Sequence, residues 1–151
     1  DEIEYLNVDI LGMKGKSRVI TVPADIQKLW NDVRVILRNP VIARYELKED
    51  IQLGKKAGIT ALCEYSLLSD NEYPTYAITK KEITESGIRK MKQVHSGEEI
   101  GCVVLELGYF IDFKNKKLED PLSVTLSLTE SEKQDERIGI SIKRMLEEYV
   151  W

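Results

Sequence analysis

From Leu6 to Val22 apolar and polar residues alternate around Gly12-Met13-Lys14-Gly15-Lys16, the period-two signature of a β-hairpin with a glycine-marked turn. Pro23-Ala24-Asp25 then opens a helix, because proline is tolerated in a first turn and an acid suits the positive helix end. Its apolar stripe is Ile26, Leu29, Trp30, Val33, Ile36 and Leu37, and Asn39-Pro40 stops it. Trp30 reads as a core anchor rather than a stacking platform. Val41 to Leu47 reads as a strand and Lys48-Glu49-Asp50 as a charged connector.

The centre of the chain is a predicted helix from Gly58 to Leu68, with Ile59, Leu62, Cys63 and Leu67 at helical spacing. Gly54, Ala57, Gly58 and Ala61 let a neighbouring backbone come close. After the turn Ser69-Asp70-Asn71-Glu72, a strand over Pro74–Thr79 places Tyr76 and Ile78 on one side and Thr75, Ala77 and Thr79 on the other. Thr79-Lys80-Lys81-Glu82 matches a capping box, so a helix starts there and weakens at Ser86-Gly87. Ile88 to Val94 continues it or is irregular, and His95-Ser96-Gly97 is a turn.

Ile100 to Phe113 carries the longest strand pattern. Val103, Leu105, Leu107, Tyr109, Ile111 and Phe113 form one apolar face, Glu106 and Asp112 lie on the other, and Gly108 marks a bulge. A turn at Asn115-Lys116-Lys117 leads to a half-buried strand, Leu122 to Thr129. A final helix from about Ser131 presents Ile138, Ile142, Met145, Leu146 and Tyr149, with Gly139 implying close packing. The order predicts an α+β fold: a mixed β-sheet flanked by about four helices, preceded by the hairpin.

Hydrophobic residues at 42% and charged residues at 32% describe a globular chain with one full core. No apolar run approaches the roughly 20 residues of a membrane helix, and the acidic start (Asp1, Glu2, Glu4) is unlike a signal peptide. These features predict a cytoplasmic protein with Cys63 and Cys102 as reduced thiols. A net charge of −4 restricts any DNA contact to a local patch. The first residue is Asp rather than Met, which fits a fragment or a processed product.

Candidate chemistry is sparse. His95 sits in a polar turn and reads as solvent-exposed. Gly12-x-x-Gly15-Lys16-Ser17 is too short between its glycines for a P-loop and precedes no helix. Glu46-Leu47-Lys48 has the Glu-x-Lys spacing of metal-dependent nucleases, but no aspartate on a preceding strand completes it. Glu106 and Asp112 are six strand residues apart, roughly 20 Å, too far to share a metal. Both sets read as solvated charges. The hairpin tip is the one concentrated charge: Lys14, Lys16 and Arg18 with no acid among them. It reads either as an ordinary solvated tip or as the wing of a winged-helix domain, placed on phosphates.

Ala57 to Leu68 with Tyr76-Ala77-Ile78, and Asp120 to Leu128 with Asp135-Glu136-Arg137, together resemble the C-terminal region of bacterial MarR-like or winged-helix transcriptional regulators. More distantly they resemble the AbiEi-type antitoxins. The resemblance spans most of Asp25 to Val150. It implies that residues 1–22 are the remnant of a wing, with Lys14, Lys16 and Arg18 as nucleic-acid-binding residues, and that 23–151 is a regulatory or interaction domain. The helices that precede a wing, including the base-reading one, have no counterpart in this sequence. The implied function is the effector or oligomerisation domain of a DNA-binding regulator: DNA as partner, a homodimer or protein partner open, no cofactor, no metal and no catalysis. The competing reading is a metal-dependent nuclease or nucleotidyltransferase-like domain, in which carboxylates among Glu46, Glu64, Glu106 and Asp112 converge on a cation.

Overall fold

The structure, a computed structural model, describes residues 11–21, 24–69 and 71–151. The expected outer ends of the hairpin (Leu6, Val8, Ile10 and Val22), Pro23 and Asp70 lie outside the described residues. Two compact units divide the chain between Arg38 and Asn39, with Trp151 grouped in the first.

In the first unit β1 (Leu11–Lys14) and β2 (Ser17–Ile20) form a two-stranded antiparallel sheet of their own. Leu11 pairs with Ile20 and Lys14 with Ser17. The turn is therefore tighter than the sequence implied: Gly12, Met13 and Lys14 belong to the strand, and only Gly15 and Lys16 form the loop. Gly15 sits at φ +63°, the conformation that a two-residue hairpin loop asks of its first residue. Helix α1 (Ile26–Val33) begins on Asp25, whose carboxylate accepts the Lys28 N–H at 2.8 Å. It ends before Ile36 and Leu37, short of the expected stop, where the β-branched Val33, Val35 and Ile36 cluster. Trp30 is its buried residue.

The second unit is built on a four-stranded mixed sheet, order β3-β6-β5-β4, from β3 (Val41–Leu47), β4 (Lys55–Lys56), β5 (Thr75–Thr79) and β6 (Cys102–Leu107). β6 is antiparallel to β3 and parallel to β5. All six β6 residues are buried, as expected for a strand covered on both faces. Cys102 and Val104 join Leu47, Tyr76, Ile78, Ile83 and Ile88 in one core, while Val103, Leu105 and Leu107 join Ala57 and Ala77 in another. Tyr76 and Ile78 thus face away from Ala77, as the alternation predicted.

Six α-helices are described rather than about four. α2 (Gly58–Tyr65) packs on β5, and α3 (Lys80–Ser86) carries both bonds of the predicted capping box before Gly87 and a 3₁₀ turn over Ile88–Lys90. The expected strand at 122–129 is a helix, α4 (Pro121–Ser127). Asp120 accepts the Ser123 N–H at 2.9 Å and Pro121 occupies the first turn. This start chemistry overrides the alternating pattern. One more predicted helix is two: α5 (Glu130–Lys133), capped by Thr129 and Glu132, and α6 (Glu136–Tyr149), capped by Asp135.

The long strand ends at Leu107, not Phe113. There the Gly108 N–H donates to the Pro40 carbonyl at 2.8 Å. The bulge expected at Gly108 instead falls on the partner strand, where register shifts between Val41 and Ala43. Leu67 is 85% exposed rather than on an apolar face. Just before it Ser66 Oγ donates to the Leu62 carbonyl and accepts the Leu68 N–H, ending the helix. At Gly139 a Cβ would meet nothing within 4 Å, so the packing expected there is not found among the described residues.

Candidate functional site

The hairpin register decides how Lys14, Lys16 and Arg18 are presented. Residues paired across an antiparallel ribbon share a face, and neighbours along a strand point to opposite faces. Lys14 pairs with Ser17 and Arg18 with Met13, so Lys14 and Arg18 lie on opposite faces and Lys16 stands in the loop between them. All three side chains are exposed. The cations therefore do not converge on a single pocket. They surround the end of a narrow ribbon.

The carboxylates weighed for metal chemistry are held apart by separate partners. Glu46 pairs with Arg44 at 3.2 Å and Lys48 with Glu98 at 2.7 Å, while Glu64 pairs with Lys56 and Asp112 with Lys116. Glu106 corrects the expectation of a solvated charge. It is 3% exposed on the Cys102–Val104 side of β6. There it accepts the Tyr45 hydroxyl at 2.9 Å and faces the Arg89 guanidinium at 3.5 Å. Among the described residues no group of three or more His, Cys, Asp or Glu is placed to hold a metal ion. His95 is exposed, and Cys63 and Cys102 form no disulfide.

The most perturbed group is one that the sequence did not single out. Glu119 is 2% exposed. Its Oε2 accepts the Gly58 N–H at 3.2 Å and the Ser127 hydroxyl at 3.5 Å. Among the described residues, its Oε1 and the buried Ser123 Oγ have no hydrogen-bond partner. Burial pushes the Glu119 carboxyl up to about 7, with the neighbouring Asp120 charge adding to the rise and the Gly58 N–H opposing it. The Glu119 backbone is tied down as well: its N–H donates to the Lys56 carbonyl at 2.8 Å and its carbonyl accepts the Tyr65 hydroxyl at 2.9 Å. Burial chiefly, then Asp120 and Glu119, raise the Tyr65 phenol. In sequence Glu119 looks like a loop acid ahead of Asp120-Pro121, and only the return of the chain alongside β4 buries it. So enclosed a carboxyl can bind a proton and cap a helix.

A surface hollow of about 640 Å³ lies between the end of α2 and the end of α6, lined by Glu64, Leu67, Arg144, Glu148 and Tyr149 among others. Ser66 also lines it, and its hydroxyl donates to the Leu62 carbonyl rather than to a carboxylate. Among the described residues no helix is long and apolar enough to cross a membrane. Compared with known protein families, characterised proteins and solved structures, the chain matches none.

Proposed function

We propose that this chain is the effector or oligomerisation domain of a cytoplasmic, MarR-like or AbiEi-like bacterial transcriptional regulator, in which the hairpin touches DNA. The observation that supports this reading is the ribbon tip, with Lys14 and Arg18 on its two faces and Lys16 at its end. Cations so arranged reach phosphates on either side of a groove, where a one-faced patch would reach only one strand. In a chain of net charge −4 such contact stays local. It gives salt-sensitive affinity with little sequence preference, because phosphates carry no base information. The helix-and-sheet unit would then serve a second copy or another protein.

The test is a fluorescence-anisotropy titration of the protein with duplex DNA at low salt, beside the variant Lys14→Ala/Lys16→Ala/Arg18→Ala. The reading expects binding by the parent and its loss in the variant, with the unfolding midpoint unchanged. Equal binding by both, or none by the parent, contradicts it.

A further inference from the structure

The second unit carries an open groove along one side of α6. Arg137, Ile140, Arg144 and Glu148 recur at intervals of three and four, so they share one face of that helix. The hollow of about 640 Å³ at the end of α6 continues into a second, of about 380 Å³, beside Arg137 and Ile140, because Leu67 and Arg144 line both. Leu67 stands where the two meet. Ser66 ends α2 just before it, and Leu67 is left 85% exposed. Ile140 and Tyr149 are also exposed along the groove, so three large apolar side chains meet water on one surface. Most of the ionised groups there are matched within the chain: Glu64 pairs with Lys56, Arg137 with Asp135 at 3.0 Å and Glu147 with Lys143 at 3.9 Å. Arg144 and Glu148 differ. Among the described residues neither has an ionic partner. They lie one turn apart without pairing with each other, and a cation placed before its acid is the weaker order on a helix.

We infer that this groove is the contact between two copies of the chain, related by a two-fold axis that sets α6 antiparallel to its counterpart. A two-fold contact needs a surface complementary to itself. This one holds an unmatched cation, an unmatched anion, an apolar knob and a hollow beside the knob. With the axis between Arg144 and Glu148, each Arg144 falls opposite the other copy's Glu148, and each Leu67 falls at the other's larger hollow. One surface thus supplies both halves of every contact. A nucleic acid fits poorly, because Glu64, Glu147 and Glu148 all line the larger hollow. The inference rests on the proposed function in one respect, since it assigns the helix-and-sheet unit to the second copy named there. The contact itself uses no residue of the hairpin.

The test is sedimentation equilibrium of the full chain at low salt, over about 1–300 μM. The parent is expected to pass from the mass of one chain to that of two. Leu67→Asp should weaken dimerisation by more than roughly a hundred-fold, since two buried leucines are lost from each dimer. Arg144→Glu alone and Glu148→Arg alone should each weaken it roughly ten-fold, because each dimer then holds two like-charged contacts. Mixing those two variants should restore it. In the mixed pair every contact again joins opposite charges, which no effect within one chain reproduces. Lys14→Ala/Lys16→Ala/Arg18→Ala should dimerise as the parent does, so that loss of DNA binding and loss of the dimer are read separately. A circular-dichroism spectrum shared with the parent shows that each variant is folded. A parent that stays monomeric throughout overturns the inference. So does a dimer indifferent to Leu67→Asp, or a mixture that associates no better than its components.

Discussion

The Gly58 N–H donates to Glu119 Oε2 across 3.2 Å of space and 61 residues of sequence. Ala57, at the start of α2, supplies no side-chain cap of its own. A carboxyl from far along the chain takes that place, against the positive end of the helix. The same residue holds β4 and Tyr65 through its backbone, so the junction of α2, α4 and the sheet edge converges on one titratable group.

That group makes stability depend on pH in a stated direction. The folded carboxyl titrates at about 7, against an ordinary 4.5. Between those values the folded protein holds a proton that the unfolded chain has released. The stabilisation is therefore complete below about pH 4.5 and is lost as pH rises through 7, by about 3 kcal/mol in all. Glu119→Gln should remove this slope, leaving the variant more stable than the parent at pH 8 and close to it at pH 5. Urea unfolding at the two pH values checks this, and parallel curves for parent and variant would contradict it.

Asp120 is the start signal that turned an alternating sequence into α4. Asp120→Ala removes the cap on the Ser123 N–H and is expected to cost about 1–2 kcal/mol, read as a lower urea midpoint. Asp120→Asn, which keeps the acceptor, should recover most of it.

Two glycines should respond in opposite senses. Gly54 has φ +87°, and a Cβ there would lie 2.5 Å from the Ala77 carbonyl oxygen, so Gly54→Ala combines strain with a backbone clash and should cost more than about 2 kcal/mol. Gly139 lies inside α6 with open space around it. Gly139→Ala should stabilise by about 0.5–1 kcal/mol. Thermal melts of the pair measure both.

Tyr45→Phe deletes the hydroxyl that satisfies buried Glu106, leaving it the half-exposed Arg89 guanidinium at 3.5 Å. The expected cost is about 1–3 kcal/mol. Little loss in thermal unfolding would mean that Glu106 finds another donor.

Elements whose ends carry their own chemistry were legible in the sequence: the Thr79–Glu82 capping box, the Asp25 cap, and the strands over 41–47 and 75–79. Alternation misled where a stronger local signal competed, as Asp120-Pro121 did over 122–129. It also ran past the end of β6, because period alone does not register that Gly108 meets Pro40. β4 is two residues long, too short for any period. The basic tip was visible as composition, but its split between two faces depends on a register that a one-residue shift reverses. Glu119 was hidden for another reason: its burial comes from partners far along the chain, and nothing in Leu118-Glu119-Asp120 differs from an exposed loop.

The central claim is that Lys14, Lys16 and Arg18 together engage phosphates. The slope of log K against log salt for duplex DNA, measured between about 50 and 200 mM, tests it most directly. The account predicts that replacing all three by alanine flattens the slope by about 2 to 3, close to 0.9 for each contact. An unchanged slope in a variant that unfolds at the same urea concentration as the parent would contradict it.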